Sequence, residues 1–399
     1  MTTNTDDQVL SALDDFQVEL PSWGFADTGT RFGKFRQPAA ASTIEEKLAD
    51  AGLVNRLTGA CPSVAVHVLW DFRPGQAPKE VAELACEHGV RIGAINPNVF
   101  QDPAYKLGSF CSPDPAARKA ALDHTLESIR IGRDTGSTLL SMWLADGTNY
   151  PGQDNVTRRK RYLQEAFRAI HDQMPDGMTL LVEYKPFEPG FYHTDLADWG
   201  MAYVVARHAG PNARVLVDTG HHLPGANVEH IVAFLLDEGM LGGFHFNDRK
   251  YADDDLTMGS IDPYAAFRIF NAIAQHEHDA GTRTDIAYMV DQSHNLKPKI
   301  EAMIQTVETA QILWAKAHLV NRARLAAAQD SGDIVTAERC LTDAFQTDVR
   351  PVLAEWRRRR GLPADPLAEL RASGYVEKAA KARTEARAAR GETQGTSYA

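Results

Sequence analysis

RVLVDTGHHLPGANVEHIVAFLLDEGMLGGFHFND, residues 214 to 248, decides the fold. Two short runs rich in β-branched and aromatic residues, RVLVDTGH (214 to 221) and GGFHFND (242 to 248), flank an amphipathic stretch over 228 to 239. Strand, helix and strand in that order are the unit of a parallel sheet. Working outward in both directions, the unit repeats about every 30 to 40 residues, a spacing typical of βα repeats.

The other strand-like runs are FQVELPSWGF (16 to 25), SVAVHVLW (63 to 70), VRIGAINPNV (90 to 99), STLLSMWLA (137 to 145), MTLLVEYKP (178 to 186) and TDIAYMVDQS (284 to 293). Helices are expected between them at 43 to 57, 78 to 88, 115 to 134, 156 to 173, 195 to 209, 262 to 279 and 297 to 322. Ser42-Thr43 and Asp262-Pro263 give two of these a capped start. Eight strands, each followed by a helix, define an α/β fold of the (β/α)8 TIM barrel class. The first strand is the least regular, because Pro21 and Gly24 interrupt it.

Beyond residue 320 the strands stop. Residues 1–320 are therefore read as the barrel and 321–399 as a C-terminal helical arm rich in Ala and Arg, suited to oligomer contacts. The arm is basic, including Arg357 to Arg360, but a solvated helix face or a subunit contact explains that better than a polyanion site.

Composition narrows the function. The 399 residues carry a net charge of -11, which argues against nucleic acid as a partner. The opening MTTNTDDQ has no apolar core, and runs such as IVAFLL (231 to 236) are far shorter than the roughly 18 residues of a membrane span, so no membrane partner is expected. Four cysteines without CxxC spacing fit a reducing cytoplasm.

In such a barrel the chemistry sits where strands end. Four successive strands deliver Glu183, Asp218, His245 and Asp291 to those positions. Crowded carboxylates repel and would take up protons unless a cation offsets them. His221 follows Asp218, and Asp253 and Asp255 follow His245 on a loop where i, i+2 spacing points them the same way and Asp254 elsewhere. Two metal sites sharing Asp218 are expected, one completed by Glu183, His245 and Asp291, the other by His221, Asp253 and Asp255. Carboxylate oxygen with one imidazole per site suits Mn, Mg or Co.

Each residue has a plainer reading. Asp218 alone would serve as a helix cap, and His245 alone as a satisfied core histidine. What favours ligands is seven liganding residue types at the ends of four successive strands. Lys185, two residues after Glu183, is placed to stabilise developing negative charge. His67 is a candidate acid or base, with a core role as the alternative. Trp23 and Trp143 are candidates for an apolar substrate wall or for core packing. GTRFGKF (29 to 35) is a glycine-bracketed aromatic loop fit to cover a site, or a simple surface loop.

The motifs Glu183-x-Lys185, Asp218-Thr-Gly-His221, Phe244-His245-Phe246-Asn247-Asp248 and Asp253-x-Asp255, closing with Asp291, resemble the metal-dependent aldose-ketose isomerases of the xylose isomerase superfamily. Within it, His245 and the stretch FHFNDRKYADDDL (244 to 256) are most similar to L-rhamnose isomerases of the broad-specificity bacterial type. That resemblance covers about residues 16 to 320. It implies two divalent ions per subunit, usually Mn, and conversion of L-rhamnose to L-rhamnulose with activity on other aldoses such as D-allose. It also implies a homotetramer in which an aromatic loop, with Phe32 or Phe35, reaches a neighbour's site. The isomerisation expected is a metal-assisted 1,2-hydride shift; an enediol route would need a base such as Asp291 or a metal-bound water. One departure concerns the second strand: xylose isomerases place an aspartate three residues after the ring-opening histidine, whereas Asp71 follows His67 by four.

Three alternatives stay open. A ketose 3-epimerase has a single metal and no use for Asp253 and Asp255. An AP-endonuclease-like barrel needs more histidine ligands and a basic face. A sugar-binding barrel without catalysis would bind sugar and not turn it over.

Overall fold

In the computed structural model, residues 3–27, 29–30, 33–186 and 194–391 are described. Eight parallel strands form one sheet in sequential order: β1 (Leu20–Pro21), β2 (Ser63–His67), β3 (Arg91–Asn96), β4 (Leu139–Met142), β5 (Thr179–Glu183), β6 (Ala213–Asp218), β7 (Leu241–Phe246) and β8 (Ala287–Val290). The sheet closes through Glu19, whose N–H donates to Tyr288 O at 2.8 Å and whose carbonyl accepts from Val290 N at 3.0 Å.

Glu19 also explains why the inner wall is so small there. Its buried carboxylate crosses the barrel interior to Ser63 Oγ (2.7 Å) and Ala94 N (2.8 Å). A Cβ on Gly93 would stand 1.7 Å from Glu19 Oε2, so only glycine fits. Above it, Trp23, Ala65, Ala94, Leu181, Leu216 and Met289 pack as a small interior cluster, while the larger core lies between the strands and the outer helices.

The central unit folds as its sequence dictates. β6 leads into helix Val228–Asp237, capped by Asn227 Oδ1, which accepts from His230 N at 3.0 Å, and the helix returns the chain to β7 in parallel register with Asp218 opposite His245. Because β5 to β8 run side by side, Glu183, Asp218, His245 and Asp291 all reach the same rim.

Local differences from the sequence reading have clear causes. The first strand shrinks to two residues, since Pro21 lacks an N–H and Ser22–Phe25 wind into a 3₁₀ turn. The second ends at His67, followed by the helical turn Val68–Asp71. The expected helix over 297 to 322 is Lys299–Ala317, and a separate helix, Arg322–Ser331, starts after the cap residue Asn321. An unexpected helix, Thr3–Asp15, precedes the barrel and buries Val9, Ala12 and Leu13.

Among the described residues, the helices after Ala317 lie on the barrel. Arg383 of helix Tyr375–Ala389 pairs with the buried Asp50 at 2.7 Å, and Trp356 donates to Asp14 at 2.7 Å. Among the described residues, no helix is long and apolar enough to cross a membrane.

Candidate metal centre

One ligand atom from each of Glu183, Asp218, His245 and Asp291 lies within 4.8 Å of the others. Glu183 (3% exposed), Asp218 (0%) and His245 (3%) are buried, so their charges are poorly screened. His245 Nδ1 faces Glu183 Oε1 at 3.3 Å and Asp291 Oδ2 at 3.9 Å, and both of its ring nitrogens are buried with no hydrogen-bond partner. A buried nitrogen with nothing to bond is costly unless it serves as a ligand.

His221 stands next to this quartet. Its Nδ1 lies 3.0 Å from Tyr184 O and 3.2 Å from Glu183 Oε1; its Nε2 lies 3.4 Å from Asp253 Oδ1 and 3.8 Å from Asp218 Oδ2. A backbone carbonyl accepts only, so Nδ1 carries the proton and Nε2 is directed at the two carboxylates. Asp253 returns to the mouth on the loop after β7, and Asp255 on the same loop adopts φ 46°, the one positive φ among described non-glycine residues. Strained backbone of this kind persists when its surroundings hold it, and it concentrates at functional sites.

The loop itself is built by short-range bonds. Asp248 and Leu256 exchange two backbone hydrogen bonds of 2.9 Å, which brings residues 253 and 255 back over the strand ends. Asp254 turns away, its Oδ2 accepting from Lys250 N (2.6 Å) and Tyr251 N (2.9 Å). Asp253, by contrast, meets Lys185 and His221.

The protonation pattern shows a site short of positive charge. Burial, then the coulombic field of Glu183 and Asp253, push the Asp218 carboxyl up to about 7, against the pull of His221. Burial also raises Asp291 and, with Asp253 and Asp291 beside it, lifts Asp255 well above the usual carboxylate range. At His245 burial opposes the charge, yet Glu183 outweighs it and the imidazole is raised to about 9. Burial likewise works against Glu183, but His245 and His221 hold its carboxyl down to about 2. Protons on carboxyl and imidazole groups do here what a divalent cation would do better. The donor set and the unpartnered His245 Nδ1, which faces Glu183 and Asp291, both fit such a cation.

Asp218 is not a helix cap. Its Oδ1 accepts from Gly220 N at 2.7 Å, and both its oxygens accept from Asn247 Nδ2, at 3.0 and 3.1 Å. Asn247 is a residue the sequence reading passed over. Its place two positions after His245, on the same side of the extended chain, was the available signal.

Lys185 Nζ contacts Asp253 Oδ2 at 2.6 Å and sits 5.1 Å from the Trp143 ring centroid. Trp23 is fixed by donating its indole N–H to Asp291 Oδ1 at 2.8 Å, leaving Oδ2 toward His245. Trp23, His67, Phe100 and Trp143 form a chain of ring contacts with centroids 4.8 to 5.8 Å apart. This aromatic wall belongs to β1 through β4, opposite the acids.

His67 and Asp71 do not pair through the imidazole. Asp71 Oδ2 accepts from the His67 backbone N at 2.8 Å and from Ser22 Oγ at 2.6 Å, while Oδ1 binds Lys47 at 2.5 Å. The extra residue between them wraps the carboxylate around the backbone, and His67 Nδ1 has no partner. Burial, then Lys47 and His245, push the imidazole down to about 3. His222 is structural support: its Nε2 meets Tyr184 OH at 2.7 Å. Phe32 lies outside the described residues; Phe35 is 58% exposed.

Fold and site together define a barrel whose mouth carries an acid and histidine cluster suited to a divalent metal. Residues 60–288 match the family described as xylose isomerase-like TIM barrel, and the chain belongs to that family. A probable sugar isomerase of Mesorhizobium japonicum is 40% identical over 383 residues, spanning 94% of this chain and 88% of its own length. One of Rhizobium meliloti is 41% identical over 389 residues with the same coverage. A xylose isomerase of Thermus thermophilus is 29% identical over 189 residues, 45% of this chain and 49% of its own. Among solved structures, an L-ribulose 3-epimerase superposes with a TM-score of 0.55 at 14% identity, covering 80% of this chain and 98% of that one. A likeness at that identity speaks for the fold alone.

Proposed function

We propose that the protein is a metal-dependent sugar isomerase that interconverts an aldose and its ketose, L-rhamnose and L-rhamnulose first, with other aldoses such as D-allose as further substrates. The names of the two relatives near 40% identity support a sugar isomerase. The observation that carries the aldose-ketose reading is the position of His221 Nε2, 3.4 Å from Asp253 and 3.8 Å from Asp218. It sets Asp253, for which a one-metal epimerase has no use, beside the first quartet and so supports a second ligand group.

In this reading Glu183, Asp218, His245 and Asp291 hold one divalent ion, and Asp218, His221, Asp253 and Asp255 a second, with Mn the first choice and Mg or Co possible. When bound, the ions supply Lewis-acid polarisation of sugar oxygens. Lys185 donates to O1 of the open-chain sugar as negative charge builds there, with Trp143 screening it from water. Trp23 holds Asp291 in one orientation. The walls of Trp23, Phe100 and Trp143 bury the carbon chain, and His67, neutral, donates a hydrogen bond to the sugar's ring oxygen. Hydride passes from C2 to C1 with no protein base at carbon, while O2 loses its proton and O1 gains one, so that the carbonyl moves from C1 to C2. The proposal extends to a cytoplasmic homotetramer in which residues 321–399 make subunit contacts and Phe32 faces a neighbour's site.

The test is an assay of chelated, Mn-reconstituted protein against L-rhamnose, L-mannose, D-allose and D-xylose, with products identified. Ketose from the aldoses is the expected result. Epimerisation of ketoses at C3 without aldose formation would replace this reading with the epimerase, and sugar binding without turnover would replace it with a binding barrel.

A further inference from the structure

The loop that carries Asp253 and Asp255 is tied to helix Tyr375–Ala389, the last among the described residues. Arg387, on helix Tyr375–Ala389, donates from Nε to Ser42 Oγ (2.9 Å), from Nη1 to Gln37 O (3.2 Å) and from Nη2 to Ala40 O. Arg383, one turn earlier, donates to Ala39 O and is anchored by Asp50. The loop leaving β1 is thereby clamped from outside.

From this clamped loop the Gln37 amide crosses to the loop after β8. Its Nε2 donates among three carbonyls, Lys297 O at 2.9 Å, Asn295 O at 3.2 Å and His294 O at 3.4 Å. That loop in turn reaches Thr257, two residues beyond Asp255 and 1% exposed. Lys297 Nζ lies 2.7 Å from Thr257 Oγ1, and His294 Nε2 lies 2.8 Å from the same oxygen. An ammonium only donates, so the threonine oxygen accepts from Lys297 and its own proton goes to His294. His294 is suited to accept it, since burial, then Lys297 and Lys299, push its imidazole down to about 4.

The chain of contacts has a directed sense at every link, and it ends beside the strained Asp255. A left-handed aspartate two residues from a doubly bonded threonine needs such support to stay in place.

We propose that Arg387, Gln37 and Thr257 act as positioning residues: a polar relay that runs from the C-terminal helix to the loop of Asp253 and Asp255 and sets the affinity of the second divalent ion. This inference rests on the two-ion reading. It makes the end of the chain part of the metal site without touching a ligand.

The experiment is a stepwise Mn titration of the full-length protein, with free Mn read by electron paramagnetic resonance. Wild type is compared with Thr257→Val, Gln37→Ala, Arg387→Ala and Arg387→Lys, and Asp255→Ala identifies which binding step is the second. Changes behind metal ligands typically weaken binding by about 10- to 100-fold. Thr257→Val is expected at that level in the second step only, with Gln37→Ala and Arg387→Ala weaker in the same step. Arg387→Lys should restore part of the loss. Gln37 is half-buried and carries the test if Thr257→Val misfolds. Equal loss in both steps, or no loss in either, overturns the relay while leaving the two-ion reading intact. A wild type with a single binding step overturns the two-ion reading and the relay with it.

Discussion

The two halves of the barrel mouth are built from opposite materials. From β5 to β8 every strand carries a carboxylate or an imidazole at or beside its end, with Glu183, Asp218, His245 and Asp291 inside one 4.8 Å cluster. In the segments at and just beyond the ends of β1 to β4 stand rings instead, with Trp23, His67, Phe100 and Trp143 in contact. The contrast teaches that each half makes the other useful. An apolar wall lowers the local dielectric and so strengthens the field of the charged wall, while the charged wall gives direction to a pocket that would otherwise bind by shape alone.

The largest effect should come from removing the carboxylate that both ligand groups share. Asp218→Asn is expected to empty the site and to cut kcat/KM by more than the roughly 100-fold that outer-shell changes cost; metal analysis beside kinetics checks it. Next comes the bridge between the halves. Lys185→Met should lower kcat by about 10²- to 10³-fold, as losing one transition-state donor does, with metal content unchanged. If metal content falls as well, Lys185 is holding Asp253 rather than acting on substrate.

Changes in the ring wall should be milder. Trp143→Ala is expected to raise KM about tenfold, near the ~1.5 kcal/mol that an aromatic contact contributes, and to leave metal affinity alone. A matching loss of metal would show the two halves to be less separate than described. The smallest effect is a pH profile. His67, pushed down to about 3 by burial, Lys47 and His245, is neutral between pH 5 and 8. His67→Gln should therefore lower the rate without moving the acid limb, and a limb that disappears in the variant would mean the histidine titrates in that range.

The charged half was legible in the sequence and much of the rest was not, for a physical reason. In a barrel, strand order alone carries every strand end to one rim, so Glu183, Asp218, His245 and Asp291 need no knowledge of packing to be grouped. The i, i+2 rule likewise separates Asp253 and Asp255 from Asp254. Partner choice over long sequence separation follows no such rule. Asp71 could not be assigned to a backbone amide and Lys47 rather than to the His67 ring, nor Asn247 to both oxygens of Asp218, without coordinates. The helix Thr3–Asp15 was missed because its polar start hides the apolar positions Val9, Ala12 and Leu13 that anchor it.

The central claim is that the charged wall holds two ions and that the pair is what makes the reaction an isomerisation. It is tested most directly by counting tightly bound Mn per chain in wild type and Asp255→Ala while following aldose-to-ketose conversion. The account predicts two ions in wild type, one in the variant, and loss of isomerisation with the second. A single ion in wild type and an Asp255→Ala variant that isomerises normally would contradict it.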